Sequence, residues 1–175
     1  MDIPNYLDAL LEKAETPFIR AVDGLGTKEL KWQPDAGSNP IGWLTWHLTR
    51  VQDRHVSAMQ GKEQAWISDG WHASFNRPPD PEDRGFGHTP EQVADFRPPD
   101  SQTLIEHYHA IRKNTAVFLR GLTPADLNRP VPAMRGDGTM PLSDRLMATI
   151  IDNIQHMGQV CYLVGIIRGA GWYGV

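Results

Sequence analysis

Apolar residues recur at intervals of three and four over four long stretches of this chain, the period of an amphipathic helix. In the first, Tyr6, Leu7, Leu10, Leu11, Ala14, Phe18, Val22 and Leu25 form the stripe. They predict a helix from Asn5 to Gly24 or Gly26 that Pro17 kinks or splits. The second runs over 40–60, with Asn39 as N-cap and Pro40 where its missing N–H costs nothing. Its inner positions are Ile41, Leu44, Leu48, Val51 and His55. His47 borders them between Trp43 and Val51 and is expected to point inward. The third starts at Asp100-Ser101 and ends near Gly121, with Leu104, Ile105, Tyr108, Ile111, Thr115, Phe118, Leu119 and Leu122 inside. The fourth carries Leu142, Leu146, Ile150, Ile154, Met157, Cys161 and Val164 and stops after Arg168 at Gly169. Four helices of about 20 residues, with no strand-period run between them, predict an all-α up-and-down four-helix bundle occupying 1–175 as one domain.

The connections differ in kind. Residues 61–99 hold prolines and glycines throughout, which excludes a long regular element, yet also carry Trp66, Trp71, Phe75 and Phe86. A long insert this aromatic between the second and third helices reads either as a lid over a pocket or as a loop packed on the bundle's flank. Within it, Thr89-Pro90-Glu91-Gln92 has the pattern of a capped short helix reaching about Phe96. Residues 123–141 read as loop, with Arg135-Gly-Asp-Gly138 as a turn. No repeat at solenoid spacing is present.

Composition narrows the function classes. With 40% hydrophobic and 22% charged residues, the chain is that of an ordinary soluble domain. A net charge of −4 without basic runs argues against nucleic acid and against an anionic membrane surface. No apolar run reaches the ~20 residues of a bilayer span. The first residues, Met-Asp-Ile-Pro-Asn, lack the apolar core of a secretory signal. A lone cysteine, Cys161, excludes an internal disulfide and fits a reducing cytoplasm.

Chemistry concentrates in Met147-Ala-Thr-Ile-Ile-Asp-Asn-Ile-Gln-His-Met-Gly-Gln159 on the fourth helix. Asp152 and His156 are about one turn apart and share a face. They read either as a core hydrogen bond or as two ligands of a metal ion lacking a third. Glycine-rich phosphate loops, dinucleotide fingerprints, Gly-x-Ser-x-Gly elbows, Cys-x-x-Cys pairs and His-Glu-x-x-His are all absent. His107 and His109 lie about 200° apart on their helix, so at most one is interior. His72 and His88 sit in the insert as weak candidates. His55 can line a pocket but lies too far along the axis to share the site. His47 is the remaining imidazole. From a facing helix it completes a two-histidine, one-carboxylate set that leaves positions open for water or substrate. Gln159 and Asn153 are candidates to orient ligands, or to satisfy a polar spot in the bundle. Arg50 and Arg54 read as surface charges or as partners for a carboxylate. Trp43, Trp46, Trp66 and Trp71 divide between core and a substrate pocket. Cys161 lies about 140° round the helix from His156 and reads as a small core residue.

Trp43-Leu44-Thr45-Trp46-His47-Leu48 and Asp152-x-x-x-His156-Met-Gly-Gln resemble, in order, spacing and placement, the DinB-like superfamily. That superfamily includes S-transferases using bacillithiol or mycothiol, and mycothiol-dependent maleylpyruvate isomerase. The resemblance implies a four-helix bundle binding a divalent metal through His47, Asp152 and His156. Many members have histidine where this chain has Asp152. It further implies zinc, with nickel, iron or manganese as alternatives, and a low-molecular-weight thiol as co-substrate attacking an electrophile. Members are often homodimers, and the apolar end 170–175 is a candidate for an interface or a seal on the bundle. Two other functions share the same first set of ligands: a metal-dependent hydrolase, and a non-enzymatic stress-associated metal-binding protein.

Overall fold

In the computed structural model, which describes residues 3–173, four long helices form the bundle. They are α1 (Ile3–Val22), α3 (Ile41–Gln60), α7 (Ser101–Arg120) and α8 (Leu142–Arg168). Short helices α2 (Thr27–Leu30), α4 (Ala65–Ser68), α5 (Trp71–Ser74) and α6 (Pro90–Ala94) punctuate the connections. α1 and α3 each pack between α7 and α8, so α1 faces α3 across the diagonal and α7 faces α8.

Pairings between helices set their directions. His47 of α3 meets His156 of α8, and His55 meets Arg145, so these two helices are antiparallel. Asp8 and Glu15 of α1 pair with Arg120 and Arg112 of α7, antiparallel again. Leu11 packs with Leu146 and Ile150, and Pro17 stands near Met157 and Cys161, so α1 and α8 are parallel. The expected all-α four-helix bundle is therefore present, but its helices run up, down, down, up in place of the expected up-and-down order, because a long crossover joins α3 to α7.

That order explains the long insert. A chain leaving α3 at one end must return to the other before α7 can run in the same direction. It returns along α3, and the contacts march backwards. The N–H groups of Ala65 and Trp66 donate to Asp53, and Arg50 donates to the carbonyls of Asp83 and Pro81. Further on, the carbonyl of Arg84 reaches His47, His88 reaches Trp43, and Pro98 lies against Gly42. Of the two readings of 61–99, this crossover combines both: it is packed on the flank and it overhangs one end of the α3–α8 seam. Its short helix α6 has the expected Thr89–Gln92 capping box and ends at Ala94.

Three local expectations need correcting. α1 runs through Pro17 as one helix, which removes the split of the two expected outcomes, because Phe18, Ala21 and Val22 beyond it are fully buried and hold the last turn in place. α3 is preceded by Pro40 in extended backbone and takes no side-chain cap from Asn39. The 123–141 connection contains a 3₁₀ turn (Pro124–Asn128) and a two-stranded antiparallel ribbon, β1 (Pro130–Pro132) with β2 (Thr139–Pro141). Val131 of β1 is buried and Met140 of β2 packs half-buried against the same cluster, so each three-residue strand gives one inward side chain and no alternating run to read.

Candidate metal centre

His47 lies in the second turn of α3, 6% exposed, with its ring flat on Trp43 at 4.7 Å and 12°. Its Nδ1–H donates to the carbonyl of Arg84 in the crossover. That bond selects the tautomer and leaves Nε2 as the free lone pair. Trp43 is held in turn by donating Nε1–H to His88 Nδ1 at 3.2 Å.

On α8, Asp152 and His156 stand one turn apart, with Oδ1 and Nε2 separated by 3.6 Å. His156 Nδ1 bonds to Gln159 Oε1 at 2.7 Å, so it too carries its proton on Nδ1. Asp152 Oδ2 is buried and has no hydrogen-bond partner among the described residues. The His47 and His156 rings meet edge to face at 4.9 Å. One ligand atom from each of His47, Asp152 and His156 falls within 4.8 Å of the others. The three sequence candidates thus converge from two helices.

Electrostatics divides the two imidazoles. Burial pushes His47 below its ordinary pKa, against the bond to Arg84, and the nearby His156 adds to the fall. His156 is also penalised by burial, but the Asp152 carboxylate beside Nε2 and the Gln159 acceptor on Nδ1 favour its protonated form enough to raise it. An orphaned buried carboxylate oxygen beside two imidazoles anchored through Nδ1 is a site short of one cation. The donor set, two nitrogens and one oxygen, suits a borderline divalent ion such as zinc.

A cavity of roughly 350 Å³ opens onto the three residues, walled by Asn39, Trp43, Phe86, His88 and Val93. Gly85 also lines it, at φ +84°, and a Cβ there would come within 2.5 Å of Trp43 Cζ2. Only glycine lets the crossover pass so close to that indole.

The other sequence candidates fall elsewhere. Trp46 and Trp66 are core residues, and Trp71 is half-buried against His107. His107 is fully buried among Trp66, Trp71 and Phe75, whereas His109 is exposed. His72 bonds the carbonyl of Arg77, and His55 accepts from Arg145 at 3.0 Å. Asn153 donates to the carbonyls of Leu48 and Thr149, a core role. Gln159 orients His156 by accepting from its Nδ1–H, the first of the two roles its position allows. Cys161 is half-buried with its thiol pushed up to about 11 by burial, unsuited to nucleophilic chemistry. Arg50 corrects the surface reading outright: it is fully buried, 3.1 Å from Asp53, with its guanidinium over Trp66 at 4.3 Å. Arg54 pairs with Glu82.

Sequence reasoning ranked His88 and Phe86 too low. Nothing in their spacing reveals them, since their position follows from the return path of the crossover.

The fold and this site define a four-helix bundle with a His–Asp–His cluster at one end of the α3–α8 seam. The DinB superfamily profile matches residues 10–160, and the chain belongs to that superfamily. A crystal structure of a conserved protein from Enterococcus faecalis superposes with a TM-score of 0.84, at 24% identity, over 97% of this chain and 99% of that one. That likeness concerns the fold alone. No curated protein matches. Among the described residues, no helix is long and apolar enough to cross a membrane.

Proposed function

We propose that the protein binds a divalent metal ion, zinc by preference, through His47, Asp152 and His156, and is a thiol S-transferase. The observation that carries this reading is the pairing of both imidazoles through Nδ1 beside the unsatisfied Asp152 Oδ2. A metal ion bound there would supply one thing: a position at which a low-molecular-weight thiol ionises near neutral pH.

The chain's own residues do the rest. His47 and His156 present Nε2 lone pairs, and Asp152 contributes the negative charge that balances the cation. Trp43, Phe86 and Val93 offer apolar walls for the electrophile, and the crossover shields one side of the cavity from water. The thiol gives up its proton to solvent, and the sulfur pair forms a bond to an electrophilic carbon. In substitution the carbon–leaving-group bond breaks with its electron pair going to the leaving group. In conjugate addition the C=C π pair shifts towards the carbonyl, and a proton from solvent completes the product. A mycothiol- or bacillithiol-like thiol fits the superfamily, and such chemistry belongs in a reducing cytoplasm.

We also propose that the protein is a homodimer. Ile3, Tyr6 and Leu10 on α1, and Met147, Ile151, Tyr162 and Ile166 on the neighbouring α8, are exposed apolar residues. A monomer rarely leaves such a set uncovered on two adjacent helices. Sedimentation of purified protein tests this: a dimer that Ile151→Glu with Ile166→Glu dissociates supports it, and a wild-type monomer refutes it. The expected end segment 170–175 lies partly outside the described residues.

The catalytic proposal is tested by screening metal-loaded protein with mycothiol, bacillithiol and glutathione against an aryl halide. Turnover that needs one of the thiols supports transfer; equal turnover without any thiol identifies a hydrolase instead.

A further inference from the structure

Phe86 is 63% exposed at the wall of the metal cavity. It stands between Gly85 and Gly87, both at positive φ, so the loop projects the ring outward instead of folding it into the core. Two guanidinium groups attend it from separate connections. Arg84 Cζ is 5.5 Å from the ring centroid, and Arg135 Cζ, from the turn of the β1–β2 ribbon, is 5.2 Å away.

The two cations are not equivalent. Arg84 donates to Glu82 Oε2 at 2.7 Å, and the same carboxylate takes Arg54 at 3.1 Å. Among the described residues Arg135 has no hydrogen bond and no ion pair, and the group it meets is the Phe86 ring. A guanidinium stacked on an aromatic face keeps its N–H edge free, and that edge matches a carboxylate in two-pronged fashion. So an unpaired cation, preoriented by an aromatic platform, stands beside the cavity.

We propose that Arg135, seated on Phe86, is a specificity-determining residue that recognises a carboxylate on a small molecule reacting at the metal centre. The inference rests on the metal and thiol reading above. The carboxylate belongs either to the thiol or to the electrophile, and the same geometry serves both. An apolar body would lie along Phe86 and Trp43 while its carboxylate meets the edge of Arg135.

The test uses Co²⁺-loaded protein, in which a bound thiolate gives a sulfur-to-metal charge-transfer band. Mercaptosuccinate and 2-mercaptoethanol are titrated against wild type, Arg135→Ala and Arg135→Lys, and maleate binding is measured by calorimetry. Arg135→Ala should weaken at least one of the two carboxylate probes about five- to tenfold, the size of one charge-assisted contact. Its cobalt content and its affinity for 2-mercaptoethanol should match wild type. Arg135→Lys should recover part of the loss, and added salt should shrink the wild-type advantage. A loss confined to mercaptosuccinate assigns the carboxylate to the thiol; a loss confined to maleate assigns it to the electrophile. Unchanged affinity for both probes in Arg135→Ala overturns the proposal. If neither thiol gives a band with wild type, the thiol-transfer reading fails, and the maleate arm still decides the role of Arg135.

Discussion

His47 on α3 donates its Nδ1–H to the carbonyl of Arg84, 37 residues further along the chain. A side chain in the bundle is thus oriented by backbone from the crossover that overhangs it. The crossover is therefore part of the candidate metal centre and not merely a cover. Whatever loosens it should weaken metal binding while leaving all three ligand side chains in place.

Gly85→Ala tests that coupling. The added Cβ meets Trp43 at 2.5 Å and the residue must hold φ +84°, so the loop or the indole has to move. The variant should lose about 1–3 kcal/mol of stability in chemical denaturation. Its zinc affinity should also fall. Wild-type zinc affinity together with reduced stability would uncouple the crossover from the site.

Gln159→Ala removes the acceptor that holds His156 Nδ1 at 2.7 Å, on an open stretch of α8. Loss of such a supporting contact typically costs about 10- to 100-fold in metal affinity. Competition with a chromogenic chelator should show that loss, with a melting temperature of the metal-free protein close to wild type. A drop in melting temperature without a change in affinity would recast Gln159 as purely structural.

Arg50 anchors the middle of the crossover. Its guanidinium is fully buried, and burial lowers its pKa to about 10 despite the opposing charges of Asp53 and Asp83. Arg50→Met leaves Asp53 buried without its cation, which should cost about 3–5 kcal/mol. Arg50→Met combined with Asp53→Leu should recover part of it, although the N–H groups of Ala65 and Trp66 then lose their acceptor. Denaturation midpoints of both variants check this, and a single variant as stable as wild type would contradict it.

Stability should also fall towards acid in a defined window. His55 has its pKa lowered to about 4, first by burial and then by the neighbouring Arg145. Above about pH 6.5 both folded and unfolded states hold it neutral, and it contributes no pH dependence. Below that, the unfolded chain binds a proton that the folded one refuses. The cost grows until about pH 4 and reaches roughly 3 kcal/mol at about 1.4 kcal/mol per unit. Fully buried His107, also lowered by burial, acts in the same direction. His55→Gln keeps an acceptor for Arg145 and should flatten the slope between pH 6 and 4 in part. An unaltered slope would show that His55 is not responsible.

The long helices were legible because their burial follows the 3.6-residue period, and Asp152 and His156 because they share one turn. His47 could be paired with them because an inward histidine on a facing helix has few other partners. What stayed hidden depended on direction. No local pattern states that α3 and α7 run the same way, so the return path along α3 could not be seen. With it were lost the placements of Arg84, Phe86 and His88, and the burial of Arg50. The β1–β2 ribbon escaped for a different reason, since three-residue strands with one buried side chain carry no periodicity.

The central claim, that His47, Asp152 and His156 hold one metal ion, is tested most directly by elemental analysis of purified protein. Wild type should carry about one equivalent of divalent metal per chain, with zinc foremost, while folded His47→Ala and His156→Ala should carry almost none. Full metal content in both variants, or a wild type that takes up no ion after incubation with zinc, would contradict the account.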